Sequence, residues 1–288
     1  MRMHNADAAC GIAQAAVIMG DWWNVLVLRE IARGHVRFDA LAAELGLSRK
    51  VLTERLGRLV AGGVLHRSLY QRRPVRYEYL LTEAGVGLLP LLVAMQEWGD
   101  RWVLGDGSVT AAEDGAEHAR MHSLTGTRLP ADLELPGSDG IPRDVVAPDA
   151  AATVLFTYPA TGIQWEEPLP GAAGCTLENR LFRDSWPAFR DAGAAVHGVS
   201  TQLPHEQAAF ARAESVPYPL LSDTHLRLAA ALRLPTFHGA GQLRLKRSVL
   251  VLDRQRTVRH VLFPVGDIPH AVQEARRLAR TLAGHVRP

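Results

Sequence analysis

The sequence predicts two domains of different class, an α+β unit followed by an α/β unit. Three observations carry that reading. The chain has 288 residues, which at roughly 100–200 residues per domain is enough for two cores. Between Gly105 and Pro148 the apolar periodicity lapses, and Gly, Pro, Asp and Ser collect in DGS, PGSDG and IPRD, the chemistry of turns and linkers. Net charge runs +3 over 1–104, −6 over 105–150 and +5 over 151–288, so an acidic stretch separates two basic ones. The expected division is a first domain over 1–104, an acidic linker over 105–132 and a second domain over 133–288.

Composition narrows the class. Hydrophobic residues make up 47% and charged residues 22%, ordinary globular values that exclude collagen-like or wholly disordered chains. The longest apolar stretches, such as Leu88–Met95 and Ala150–Leu155, fall short of the ~20 residues of a membrane span. Met1–Cys10 lacks a basic-then-apolar leader, so a cytoplasmic protein with no membrane partner is expected. Two cysteines, Cys10 and Cys175, cannot build a zinc cluster or a disulfide framework. No metal or cofactor is therefore expected, and any sulfur chemistry is thiol redox chemistry.

The first domain opens with three helical patterns, Asp21–Ala32, Phe38–Leu45 and Ser48–Val60. Phe38, Leu41, Ala42 and Leu45 recur at helical spacing, Gly46 permits a tight turn, and Ser48 caps the next helix. This is a helix-turn-helix. In its second helix Leu52, Leu56 and Leu59 form the inward stripe, which leaves Lys50, Thr53, Glu54, Gly57 and Arg58 outward with Arg49 on the flank, where a major groove would be read. Two β-rich runs, Val64–Tyr70 and Val75–Leu81, flank Gln71-Arg72-Arg73-Pro74, so Arg72, Arg73 and Arg76 can grip phosphates from a hairpin. Leu88, Leu91, Leu92, Met95, Trp98 and Trp102 make a further apolar stripe, suited to a dimer contact or to the domain's own core.

Gly20-Asp21-Trp22-Trp23, Leu28-Arg29-Glu30-Ile31, Leu47-Ser48-Arg49-Lys50-Val51-Leu52 and Pro74-Val75-Arg76-Tyr77-Glu78-Tyr79 resemble the HxlR-type winged-helix transcription regulators over about residues 8–104. The resemblance implies a homodimer on a palindromic operator in double-stranded DNA, with the N-terminal segment and last helix at the dimer interface. Cys10 stands where some members carry a redox-sensing thiol; the alternative is a small buried filler beside Ile12 and Ala13.

From Ala151 strands and helices alternate: a strand Thr153–Tyr158, a helix from about Glu178 to Ala192, a strand Ala194–Ser200, a helix His205–Glu214, a strand near Tyr218–Leu221, a helix His225–Ala231, strands Ser248–Asp253 and Val258–Phe263, and a helix Ile268–Leu282. Fully apolar strands such as Val249–Leu252 predict a sheet covered on both faces. Cys175 follows Gly174 at the start of a helical pattern, where free N–H groups and the helix dipole lower a thiol pKa.

Phe156-Thr157-Tyr158-Pro159, Gly174-Cys175-Thr176-Leu177-Glu178, Leu234-Pro235-Thr236-Phe237 and Lys246-Arg247-Ser248-Val249-Leu250 resemble peroxiredoxins of the bacterioferritin-comigratory, or Q, type, within the AhpC/TSA group. That likeness implies a thioredoxin-like fold over about 133–285. It casts Cys175 as the peroxidatic thiol, Arg247 as the arginine that holds it, and Pro159 as the proline that shields it. Ala172 stands where the family has Thr or Ser, and Asn179 and Arg180 occupy the region where a resolving cysteine often sits. A sulfenic acid on Cys175 would then pair either with Cys10 or with an external thiol reductant. The leading expectation is a redox-responsive DNA-binding regulator with peroxide as the oxidant. The alternatives are a one-Cys thiol peroxidase that carries an autoregulatory DNA-binding domain, and a regulator whose second domain is redox-dead and binds a ligand.

Overall fold

A computed structural model describes residues 9–103, 115–163 and 173–284. The chain divides into two compact units between Leu92 and Val93. The first contains α1 (Gly11–Met19), α2 (Trp22–Ala32), α3 (Phe38–Leu45), α4 (Arg49–Ala61), the strands β1 (Leu65–Arg72) and β2 (Val75–Leu81), the short α5 (Glu83–Val86) and the start of α6 (Leu89–Trp102). Asp21 caps α2 by accepting from the Trp23 N–H at 2.9 Å, and Ser48 caps α4 through Val51 at 3.4 Å. Gly46 ends α3 in the left-handed region at φ 61°, which turns the chain into α4 without steric cost. The core joins Val27, Leu28 and Ile31 of α2, Leu41 of α3 and Leu52, Leu56 and Leu59 of α4, all at most 5% exposed. β1 and β2 pair antiparallel from Leu65↔Leu81 to Arg72↔Val75, with an irregularity between Leu69 and Gln71, so the turn at Arg73-Pro74 stands at the far end of the hairpin. The helix-turn-helix with its wing is the expected first fold.

The second unit contains the rest of α6, then α7 (Gly115–His122), β3 (Glu134–Pro136), β4 (Pro142–Asp144), β5 (Ala152–Thr157), α8 (Cys175–Asp191), β6 (Ala194–Ser200), α9 (Pro204–Glu214), β7 (Leu220–Ser222), α10 (Arg227–Leu232), β8 (Thr236–Gly239), β9 (Gln242–Leu245), β10 (Ser248–Asp253), β11 (Val258–Leu262) and α11 (Ile268–Gly284). Five strands form one sheet in the order β11-β10-β5-β6-β7. β5, β6 and β7 run parallel, and β10 and β11 are antiparallel to their neighbours. Side chains alternate across it. Val154, Phe156, Val249 and Val251 join Phe182 and Phe189 of α8 and Val272 and Ala275 of α11 on one face. Leu155, Leu250 and Leu252 join Met121, Leu124, Leu129, Val145 and the α10 leucines on the other. The thioredoxin-like mixed sheet is the second fold expected.

Four features differ from the sequence expectation. The part of the acidic stretch from 115 onward is not an open linker: it carries α7, and Met121, Leu124 and Leu129 are buried in the second core. α8 begins at Cys175 rather than near Glu178, because Gly174 starts it without a side-chain cap. The hairpins β3–β4 and β8–β9 were not anticipated from their short, mixed sequences. The stripe on α6 is split: Leu88 and Leu92 pack on the first core, whereas Leu91, Met95, Trp98 and Trp102 stand 42–65% exposed. Among the described residues no single helix is long and apolar enough to cross a membrane.

Candidate functional site

Cys175 is the first residue of α8 and is 4% exposed. Gly174 before it holds φ 95°, so the backbone favours glycine there, and a Cβ would also have to displace the end of the Ile268 side chain, Cδ1 at 2.7 Å. Arg247, between β9 and β10, donates from Nη2 to Cys175 Sγ at 3.2 Å, from Nε to Glu178 Oε2 at 2.8 Å and from Nη2 to the Ala173 carbonyl at 3.1 Å. Asn179 Nδ2 donates to the Cys175 carbonyl at 2.9 Å, and Tyr218 Oη donates to the Asn179 carbonyl at 2.8 Å. A buried acid and a buried thiol thus share one guanidinium.

Its electrostatics correct one expectation. A helix N-terminus alone predicts a lowered thiol pKa, but burial pushes Cys175 above its ordinary value. Arg247, the Ala160 backbone N–H and the Arg247 hydrogen bond pull it back, while Glu178 adds to the rise. Glu178 itself is pushed up to about 7 by burial, against the pull of Arg247. Pro159 is buried at the end of β5, one residue before the amide that faces the sulfur. Ala172 lies outside the described residues.

In the first unit, the outward face of α4 and the wing are basic. Arg49, Lys50, Thr53 and Arg58 on α4 are exposed, as are Arg72, Arg73 and Arg76 on the hairpin. Asp39 of α3 brings two of them together: its Oδ1 accepts from Arg49 Nη1 at 3.0 Å and its Oδ2 from Arg76 Nη1 at 3.5 Å. Arg49 also lies over the Phe38 ring at 4.8 Å. Thr53 Oγ1 donates back to the Arg49 carbonyl at 2.7 Å, and Arg58 pairs with Glu54 at 2.6 Å. Lys50, Arg72 and Arg73 make no ion pair among the described residues.

The HxlR-like helix-turn-helix family matches residues 18–106, and the AhpC/TSA family matches residues 127–261. An uncharacterised HTH-type transcriptional regulator of Mycobacterium tuberculosis is 40% identical over 92 residues, which is 32% of this chain and 58% of that protein's length. A protein of the same organism that carries the name peroxiredoxin is 35% identical over 133 residues, 46% of this chain and 80% of its own. The chain belongs to both families. The solved structure of peroxidoxin BcpB from Mycobacterium tuberculosis is 31% identical, covers 57% of this chain and 98% of its own, and superposes with a TM-score of 0.47. An HTH regulator domain implies DNA binding.

In the second unit a further buried ion pair stands beside Arg247 in sequence. Lys246, next to Arg247, is fully buried, and its Nζ donates to Glu117 Oε2 of α7 at 2.5 Å. Arg120 of α7 reaches Asp100 Oδ2 of α6 at 3.4 Å, and Arg233 reaches Asp100 Oδ1 at 3.5 Å. The α6 helix is thereby tied by charge to α7 and to Arg233, and α7 to Lys246. Sequence reasoning missed Asp39, Glu178 and Glu117, each a carboxylate whose partner is an arginine or lysine already singled out or adjacent to one. Cys10 is exposed in the single chain, at the N-cap of α1.

Proposed function

We propose that this chain is a DNA-binding regulator whose operator affinity is set by the oxidation state of Cys175. The observation that carries the reading is Arg247 Nη2 at 3.2 Å from Cys175 Sγ, in a domain joined on one chain to a helix-turn-helix. In this reading the thiolate attacks one peroxide oxygen: an S–O bond forms, the O–O bond breaks, and the leaving oxygen takes a proton as water or an alcohol. Arg247 stabilises the thiolate and Pro159 shields it. Cys10 or an external thiol then attacks the sulfenic acid, releasing water and leaving a disulfide. The Lys246–Glu117 and Arg120–Asp100 pairs support coupling, because they connect the neighbour of Arg247 to α6. A homodimer on a palindromic operator accounts for the exposed Leu91, Met95, Trp98 and Trp102, which a second copy of the chain would cover.

Selection from a random duplex pool, followed by salt titration, tests the DNA half. Arg72→Ala with Arg73→Ala should weaken binding to every sequence and flatten the salt slope by about two. Peptide mass spectrometry after peroxide tests the thiol half, with Cys175 oxidised before Cys10. An unchanged slope removes the wing from the interface, and an unreacted Cys175 leaves a redox-dead domain.

A further inference from the structure

The second unit carries positive charge that the group at Cys175 does not use. α11 holds Arg276, Arg277 and Arg280 against a single acid, Glu274. It packs on α8, and between the two helices runs a groove of about 620 Å³, walled by Ala188 of α8 and by His270, Gln273, Arg276, Arg277 and Arg280 of α11. Glu274 also lines the groove, but Arg277 occupies both its oxygens, donating from Nε to Oε2 at 2.8 Å and from Nη2 to Oε1 at 2.6 Å. On α8, Asp184 and Asp191 pair with their own neighbours Arg183 and Arg190. Arg276 and Arg280 are exposed and make no ion pair or hydrogen bond among the described residues. Arg143, Arg180, Arg183, Arg256 and Arg259 of the same unit, by contrast, each reach a carboxylate.

Arg276 and Arg280 stand four residues apart, so they leave the same side of α11 about 6 Å apart along its axis. A concave basic wall focuses the field and concentrates anions, and guanidinium forks match phosphate oxygens. The polyanion that fits is duplex DNA, because the helix-turn-helix on the same chain presents it to the groove at the effective concentration of a tethered ligand. We propose that the α8–α11 groove is a second phosphate-binding surface, which grips the backbone of duplex DNA through Arg276 and Arg280 in addition to the phosphates taken by the wing. The contact reads no bases. It adds affinity for every sequence and steepens the salt dependence.

The test is fluorescence anisotropy of the full chain on a random-sequence duplex, titrated between about 50 and 200 mM salt. Arg276→Gln with Arg280→Gln should weaken binding and lower the slope of log K against log salt by about two per chain, whereas Arg276→Lys with Arg280→Lys should keep most of both. Added to Arg72→Ala with Arg73→Ala, the glutamine pair should lower the slope further, since the two surfaces act independently. An unchanged slope and affinity in a folded glutamine variant overturns the proposal, as does an equal loss in the lysine variant, which keeps the charge. Should the glutamine pair fail to fold, the single variants decide, each with an expected drop of about one. A wing variant that binds like the wild type, beside a glutamine pair that does not, leaves the groove standing and removes the wing instead. Binding of poly-glutamate that the glutamine pair loses, with the DNA slope unchanged, overturns the proposal in favour of an acidic protein partner.

Discussion

Arg247 stands between Cys175 and Glu178, so the charge on Glu178 is felt at the sulfur. With Glu178 pushed up to about 7, rising pH ionises it and gives the thiolate a competitor for the same guanidinium. Glu178→Gln should therefore lower the Cys175 pKa and speed its alkylation above neutral pH, and Arg247→Ala should slow it. The pH–rate profile with iodoacetamide checks both, and a slower Glu178→Gln would show that the carboxylate chiefly positions Arg247. The same shift bears on stability. A carboxyl whose folded pKa lies above its ordinary 4.5 is held protonated by the fold, so the stability it contributes is present below that value and lost as pH rises towards 7. Denaturant titrations from pH 4.5 to 7 should show Glu178→Gln gaining on the wild type throughout that window. On the DNA face, Asp39 occupies both Arg49 and Arg76 before any phosphate arrives. The pairs are exposed and weak, so Asp39→Asn should tighten DNA binding only a few-fold, by about 0.2–1 kcal/mol, and steepen the salt dependence. Weaker binding would instead mean that Asp39 orients the two arginines.

At the scale of elements, two glycines of the helix-turn-helix have opposite roles. Gly46 sits at φ 61° and Gly57 lies inside α4, and a Cβ at either position meets nothing within 4 Å. Gly46→Ala should cost roughly 1–2 kcal/mol, and Gly57→Ala should gain roughly 0.5–1 kcal/mol, in thermal or denaturant unfolding. Equal losses would place hidden crowding on the outward face of α4. These elements were legible because their periodicity was long and their punctuation conventional: the leucines at 52, 56 and 59, Gly46 and Ser48 define α4 from the chain alone. The strand β10 was equally plain, its centre Val249–Leu252 being a continuous apolar run. The start of α8 was not, because Gly174 offers no capping oxygen and its position is dictated by Ile268 from α11. Nor could the sequence show that Cys175 and Glu178 are buried, since that depends on α11 and β10 closing over them. Burial is what reverses the direction of the thiol pKa expected from its helix position. The β8–β9 hairpin was hidden by its short mixed strands and by Ala240 and Gly241, which both turn with positive φ.

As a whole, the molecule carries an HxlR-like domain with a basic α4 face and an AhpC/TSA domain with a buried thiol on one chain. Within the second unit, ion pairs lead from Lys246, the residue beside Arg247, through Glu117 and Arg120 to Asp100 on α6. Oxidation of the sulfur changes the charge and size of a group packed against Arg247, and a tightly packed interior transmits such a change rather than absorbing it. Leu91, Met95, Trp98 and Trp102 of α6 are exposed, and in the proposed reading a second copy of the chain covers them and sets the spacing of two reading helices. The most direct test is fluorescence anisotropy of a selected duplex at fixed salt, titrated with the wild type and with Cys175→Ser, each before and after one equivalent of peroxide. The account predicts that peroxide shifts the wild-type affinity about tenfold or more, that a thiol reductant restores it, and that Cys175→Ser is unaffected. Equal affinities for oxidised and reduced wild type, with Cys175 shown to be oxidised, would contradict it.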